Sequence, residues 1–283
     1  MVKPKHLFVI FVFMALMLVS FSKLGACSPD DTSRDTVIRA YQNVHKLNNF
    51  HMTFNMAISV KSINFSLNSE CDYQAKPALV MKQLLTINMG PQTAMKVLQY
   101  GEKSGNQLIY YSKINDQWIK QAVPFNNPAS EFDNYIKSIK SATLIRETAD
   151  TKVYEVTIDA NSLKEEFEHT FAAMGLQNNA DFADAFNNIG DCKTIVYVNK
   201  NTSLISEASM DATDIVRTIV NNVVATMNIP DDRKDNIRNM LNDLNVAVKV
   251  DYSQMNAVGN IQIPQEAKDA VWFTPGQLQY SMV

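Results

Sequence analysis

FHMTFNMAISVKSINFSL, residues 50–67, contains the clearest structural signal in the chain. In its first part every second residue is apolar, namely Phe50, Met52, Phe54, Met56, Ile58 and Val60. This period of two is typical of a strand with one buried face. After Lys61 the apolar phase moves to Ile63, Phe65 and Leu67, as expected where a tight turn reverses the chain. The stretch therefore predicts an antiparallel hairpin with its apolar side chains on one face.

The sequence around this hairpin predicts more strands and several helices. Apolar spacing near 3.6 residues indicates helices at 35–48, 130–140, 162–174, 181–188, 215–227 and 232–244. Short apolar segments bounded by turn residues indicate strands at 78–87, 94–100, 107–114, 118–123, 143–147, 152–159, 194–199, 204–212 and 246–254, and a final segment at 261–264 closes the fold. Consecutive strands with short turns form an antiparallel meander, so we expect an α+β fold. No Gly/Pro/Ser-rich linker divides residues 34–283, which predicts a single domain.

The N-terminal segment has the pattern of an export signal. Lys3 and Lys5 precede an apolar run from Leu7 to Val19. This run is shorter than the about 20 residues of a membrane-spanning helix. Residues 24–27, LGAC, resemble the lipobox of bacterial lipoproteins. This resemblance implies a signal peptide at 1–26 and, on Cys27, a diacylglyceryl anchor whose acyl chains are fatty acids such as palmitate. Residues 27–33 would then form a polar tether. We therefore expect the protein on the extracytoplasmic face of the bacterial cell membrane, attached through its lipid.

Composition excludes several other classes of protein. The chain has 283 residues, of which 46% are hydrophobic, so it is long and apolar enough to bury a sizeable core. Its 26 basic and 29 acidic residues give a net charge of −3, and the sequence contains no basic run. Nucleic acid is therefore not an expected partner, because neutralising phosphates requires clustered Lys and Arg.

The sequence lacks the motifs of common catalytic and metal sites. The histidines after Cys27 are His45, His51 and His169, and they fall on unrelated predicted elements, so no metal-ligand set is expected. There is no nucleophile elbow, no P-loop and no dinucleotide-binding glycine motif, and the chain has only 8 glycines. We therefore expect no cofactor and a protein that is not an enzyme. An envelope enzyme with a dispersed catalytic site is the weakest of the alternatives.

Cys71 and Cys192 are the thiols that remain once Cys27 carries a lipid. An even number of cysteines in an exported protein is compatible with a disulfide between them. However, Cys71 is in phase with the apolar residues Phe65 and Leu67, where a free thiol would serve as a small apolar core residue. The sequence leaves both interpretations open.

The order of elements resembles a group of uncharacterised lipoproteins of Gram-positive bacteria. The resemblance is carried by the lipobox, the first helix, the hairpin FHMTFNMAISVKSINFSL, the hairpin YYSKINDQWIKQ and the segment IQIPQEAKDA. These proteins are related in outline to the LolA/LolB-type and LprG/LppX-type lipid-carrying lipoproteins. The resemblance implies a LolA-like domain, which is a curved, open half-barrel of antiparallel strands. It also implies that helices cover the concave face of this sheet around an apolar cavity.

The Met- and Phe-rich hairpin is the candidate ligand-binding site. Taken one at a time, its apolar residues are explained by ordinary core packing. Together, flexible thioether and aromatic side chains form a lining that adapts to apolar ligands. We expect the following residues to contact a lipid or a lipidated molecule: Met52, Phe54, Met56, Ile58, Phe65 and Leu67. The alternative is a module with a filled core that senses or binds another envelope protein.

Overall fold

The computed structural model describes residues 33–61, 63–90, 92–114, 116–125, 136–164 and 185–273. The helices in these ranges are α1 (Ser33–His45), α2 (Thr213–Thr226), α3 (Asp231–Leu241) and α4 (Gln265–Lys268). The strands are β1 (Asn49–Val60), β2 (Ile63–Gln74), β3 (Val80–Met89), β4 (Gln92–Ser104), β5 (Gln107–Ile114), β6 (Gln117–Pro124), β7 (Ile139–Glu147), β8 (Thr151–Asp159), β9 (Asp191–Asn199), β10 (Ile205–Asp211), β11 (Leu244–Ser253) and β12 (Val271–Trp272). The proposed signal peptide, Cys27 and most of the tether lie outside the described residues.

All the described strands belong to one open sheet. Their order is β12-β6-β5-β4-β3-β2-β1-β11-β10-β9-β8-β7, so β12 and β7 are its two edges and the sheet is not closed. Every pairing is antiparallel except that of the two-residue strand β12 with β6. An open sheet of this width normally curls, because strand twist accumulates across it. The predicted fold class, a curved open antiparallel sheet with helices over its concave face, is confirmed.

The sheet has an inner and an outer face, which are distinguished by their core residues. The inner face carries the apolar residues of the first hairpin, and its buried row continues into β11 through Val246, Val248 and Val250. α1 contacts β7, β8, β9 and β10, and α2 contacts β11. The helices place Ile38, Tyr41, Val216 and Ile219 in the same buried cluster as this face. The main core therefore lies between the inner face and the helices.

A smaller core lies on the outer face of β4, β5 and β6. Tyr100 and Tyr111 are cross-strand partners there, and Ala267 of α4 is fully buried against them. Ile261 and Ile263 also pack on this cluster, although they form no strand. This closing segment is therefore extended chain and not part of the sheet. Its alternating pattern arises because an extended segment lays two side chains on a neighbouring surface without pairing its backbone.

Two other sequence predictions differ from the structure or fall outside it. A helix was expected over 130–140; residues 136–138 are helical, but the helix ends before Ile139, where β7 begins and pairs with β8. A helix was expected from Ser162, where the described residues form a 3₁₀ turn at Ala160–Leu163. Residues 126–135 and 165–184, which hold the rest of the helices predicted at 130–140, 162–174 and 181–188, lie outside the described ranges.

Candidate ligand-binding face

The structure places the predicted ligand-binding residues side by side on the inner face. Met56 is the cross-strand partner of Leu67, and Ile58 is the partner of Phe65. Met52 and Phe54 continue the same face along β1, because side chains two residues apart point to the same side of a strand. The antiparallel hairpin predicted from the change of apolar phase, with its apolar side chains on one face, is therefore present in the structure. Whether these residues contact a ligand remains a prediction.

Exposure along this face changes sharply from one end of the sheet to the other. We call the end where β1 leads into β2 the upper end, and the opposite end the lower end. In β2, Leu67 is 0% exposed whereas Ile63, at the upper end, is 61% exposed. In β3, Ile87 is 0% exposed and Met89, again at the upper end, is 53% exposed. The apolar inner face is therefore buried along most of its length and emerges at its upper end.

Aromatic rings close the lower end of the same face. Phe50 of β1 and Tyr73 of β2 are cross-strand partners with ring centroids 5.1 Å apart. The ring of Tyr252 in β11 lies 5.8 Å from that of Phe50. Burial, with a smaller contribution from Tyr41, raises the pKa of Tyr252 far above its usual range, so this hydroxyl stays neutral. The lower end is thus filled by packed, uncharged rings.

Two hydrogen-bonded pairs of polar side chains interrupt the apolar inner face. Gln83 of β3 donates from Nε2 to Ser69 Oγ of β2 at 2.7 Å, and both side chains are 2% exposed. Gln99 of β4 donates from Nε2 to Ser112 Oγ of β5 at 2.9 Å. Gln83 and Gln99 are direct cross-strand partners, so the two pairs form one short polar band. Buried polar groups are tolerated when they are paired in this way.

Sequence reasoning missed the polar band. Its members occupy positions whose neighbours two residues away are apolar, as with Gln83 between Met81 and Leu85. A polar residue at an inward position of a predicted strand is the signal that would have found them. These residues become neighbours only through the pairing of β3 with β4 and of β4 with β5, and that pairing cannot be read from the sequence of each strand alone.

A cleft formed by described residues lies on the outer face of the sheet. It has a volume of about 570 Å³ and crosses β1, β11, β10 and β9. Ala57, Ala247 and Ser209 form its floor, because their small side chains leave a trough in the sheet surface. Its lysines are already engaged, since Lys193 pairs with Glu155 at 2.8 Å and Lys249 pairs with two carboxylates.

A second cleft of about 180 Å³ lies at the upper end of the first hairpin. Ile58 and Phe65, two of the predicted ligand-binding residues, line it. The rest of its lining includes Ser59, Asn64 and Gly90. Ala57, Ser66 and Asn245 also line it, and like Ser59 and Asn64 they alternate with the inner-face residues, so the cleft opens mainly on the outer face at the upper end of the hairpin.

Cys71 and Cys192 are free thiols, so the disulfide that the sequence allowed is not formed. Three strands, β1, β11 and β10, lie between β2 and β9. A strand spacing of about 4.8 Å separates the two positions by about 19 Å along the sheet, whereas a disulfide needs Cα atoms within about 7 Å of each other. The alternative interpretation, a small apolar core residue, fits Cys71, which is 0% exposed.

The described histidines and acidic residues do not assemble a metal site. His51 Nδ1 lies 2.7 Å from the Asp72 carboxylate on the outer face, and His45 is buried at the end of α1. His169 lies outside the described ranges. Within those ranges no three His, Cys, Asp or Glu side chains gather where they could hold a metal ion. The described helices also include none that is long and apolar enough to cross a membrane.

Comparison with known proteins gives a family and two structures of related shape. The sequence model of DUF6612, described as a family of unknown function, matches residues 34–271. The crystal structure of LprF from Mycobacterium bovis is similar with a TM-score of 0.43 and 11% identity, over 84% of this chain and 99% of that chain. A DUF1329 family protein from Desulfovibrio piger is similar with a TM-score of 0.27 and 9% identity, over 81% and 93% of the two chains. No curated protein matches the sequence.

Proposed function

We propose that this chain, which belongs to DUF6612, a family of unknown function, is a membrane-anchored lipoprotein that binds an apolar ligand on the inner face of its sheet. The ligand is a lipid or a lipidated molecule, and the protein acts by burying it rather than by catalysing a reaction. The anchor is a diacylglyceryl group on Cys27, which holds the protein at the extracytoplasmic face of the cell membrane. The single observation that carries the proposal is the continuous apolar face of β1 and β2, closed at one end and emerging at the other.

The chemistry of this face suits an acyl chain. Met52 and Met56 alternate with Phe54 and Ile58 along β1, and all four are at most 6% exposed. Methionine is unbranched and polarisable, so it adjusts to a flexible guest without a fixed shape. Each methylene that such a guest buries contributes about 0.8 kcal/mol, so a long acyl chain needs few polar contacts to bind tightly.

The polar band gives the same face a place to orient a ligand. Gln83 and Gln99 are neighbours on adjacent strands and lie among apolar side chains. Ligand sites are typically apolar with a small number of polar groups that fix the orientation of the guest. We propose that an ester, hydroxyl or amide group next to the acyl chain forms hydrogen bonds with the Gln and Ser side chains of this band.

Binding of a dansyl-labelled fatty acid to the Cys27→Ser chain tests the proposal, with Met56→Trp as the test variant. If a ligand occupies this part of the face, the larger side chain takes the volume of the ligand, so we expect the dissociation constant to rise about tenfold or more, equivalent to about 1.4 kcal/mol. On the same premise the variant should stay folded, because the indole fills volume that the ligand would otherwise fill.

Val156→Trp is the matched control. Val156 is also on the inner face and 0% exposed, but it lies on β8, which α1 contacts. Inserting a large side chain into this packed region should reduce the free energy of unfolding by about 1–3 kcal/mol. The molecules that remain folded should bind the probe with the same dissociation constant as the parent chain. If neither variant changes probe binding, or if the parent chain binds no probe, the ligand proposal is wrong.

The alternative function is an interaction or sensor module with a filled core. The observation that favours it is that Phe54 and Leu67 are at most 1% exposed within a single buried cluster. In that case Met56→Trp should destabilise the protein as much as Val156→Trp does, because both would overpack a full interior. Unfolding by urea, followed by circular dichroism for the two variants, separates the two functions.

A further inference from the structure

The described domain begins at the upper end of the sheet. Arg34, in the first turn of α1, donates from Nε to the carbonyl of Ile139 at 2.8 Å. Ile139 is the first residue of β7. Cross-strand pairs lead from it to Ile158 and Cys192 at the upper ends of β8 and β9. Two residues further along β9, Thr194 pairs with Met210 of β10, which pairs with Val248 of β11. At the upper end of β11, pairs continue from Val246 through Ile58 and Phe65 to Met89. The start of α1 and the exposed end of the inner face are therefore on the same side of the molecule.

The exposed end of the inner face is a small, well-defined structure. We call Lys61, Ile63, Met89 and Gly90 the lip. Lys61 and Gly90 stand at two turns with positive φ, 54° and 63°. Gly90 N donates to the Asn64 carbonyl at 2.7 Å, so the ends of the β1–β2 and β3–β4 hairpins are bonded to each other. The lip thus presents two apolar side chains, each more than half exposed, and one cationic side chain.

The anchor point is close to this side of the domain. Six residue steps separate Cys27 from Ser33, where α1 begins. Even a fully extended segment of that length spans only about 20 Å. A lipid on Cys27 would therefore keep the upper end of β7, where α1 begins, within about 20 Å of the membrane.

We propose that the lip docks on the phospholipid bilayer that carries the Cys27 anchor, so that the inner face opens directly onto the membrane. This inference rests on the proposed function, because it supplies the route by which an acyl chain would enter. Ile63 and Met89 enter the interface between headgroups and acyl chains, where exposed apolar side chains gain by burial. Lys61 keeps its ammonium at the level of the phosphates while its stem covers apolar surface.

Site-specific labelling tests the docking. The lipidated chain is reconstituted in vesicles of phosphatidylcholine and phosphatidylglycerol, with a single added cysteine at Ile63, Met89 or Ile145 carrying an NBD dye. Ile145 is 53% exposed, as Met89 is, but lies in the lower half of β7 and serves as the control. Cys71 and Cys192 stay unlabelled because they are buried.

We expect doxyl-labelled lipids to quench the dye at positions 63 and 89 at least about threefold more than the dye at 145. Equal quenching at the three positions would overturn the docking of the lip. Quenching at 145 alone would overturn it as well, since the opposite end would then face the bilayer. Protection of the lip only when another envelope protein is added would assign this surface to a protein partner instead.

A transfer measurement separates this inference from the proposed function. Ile63→Ser with Met89→Ser should slow the uptake of dansyl fatty acid from vesicles about tenfold or more, while the dissociation constant for the probe in solution stays unchanged. Leu144→Ser with Ile145→Ser is the matched pair of exposed apolar residues and should change neither. Unchanged uptake in the lip variant, with binding intact, contradicts membrane docking alone. Absence of probe binding in the parent chain contradicts the proposed function.

Discussion

At the scale of single residues, the two buried thiols show how environment decides between interpretations that the sequence left open. Burial, with a smaller contribution from the carboxylate of Asp72, raises the pKa of Cys71 to about 12. Burial, with smaller contributions from Asp191 and Asp159, raises the pKa of Cys192 to about 11. Both side chains are therefore neutral thiols at physiological pH and pack as small apolar groups.

Thiol chemistry checks this directly. A chain with Cys27→Ser, unfolded in guanidinium without reductant, should show two titratable thiols. In the folded chain at pH 8, the same thiols should react with iodoacetamide about a hundredfold or more slowly, because the thiolate is the reacting form. A cysteine placed at exposed Ile145 gives the fast reference rate. Finding no thiol in the unfolded chain would restore the disulfide between Cys71 and Cys192.

At the scale of elements, the strand β1, with one buried face, was predicted closely, whereas the edge strand β7 was predicted only over 143–147. β1 alternates cleanly because one of its faces is buried in the main core and the other is solvated. β7 is an edge strand that is exposed along most of its length, so its sequence has little alternation and its first residues were assigned to a helix. The polar band was missed for a different reason: its residues become neighbours only through the pairing of β2, β3, β4 and β5.

The start of α2 is fixed to the sheet by a small network that makes a pH-dependent contribution. Thr213 N donates to Asp211 Oδ1 at 2.9 Å, and Val246 N donates to Thr213 Oγ1 at the same distance. Hydrogen bonds from the Thr213 side chain and backbone lower the pKa of Asp211. A lowered pKa in the folded state stabilises the protein above the unfolded pKa of about 3.9, and this contribution is lost as the pH falls through the folded value.

We therefore expect Asp211→Ala to destabilise the protein by about 1 kcal/mol or less at pH 6, as for loss of a capping residue. The difference from the parent chain should shrink as the pH is lowered below about 4. Asp211→Asn is the control, since it keeps an acceptor oxygen and removes the titrating group. Urea unfolding at several pH values measures all three chains, and a constant difference from pH 6 to pH 2.5 would contradict the role of the carboxylate.

At the scale of the whole molecule, the described residues form a one-ended apolar face on an open sheet. Packed rings of Phe50, Tyr73 and Tyr252 occupy its lower end. Exposed Ile63 and Met89 mark its upper end, on the side where α1 begins. The alternation of β1 and β2 predicted the apolar face. Its direction was not predictable, because it depends on how the far ends of the hairpins and the first helix come together.

Native mass spectrometry of the Cys27→Ser chain, purified under non-denaturing conditions, tests the central claim most directly. A protein that binds a lipid or a lipidated molecule should carry an additional mass that is released on collisional activation and lost after organic extraction. We expect this mass to belong to an acylated molecule and Met56→Trp to reduce its occupancy. Folded protein that repeatedly shows its sequence mass alone, and takes up no lipid from vesicles, would contradict lipid binding by this face.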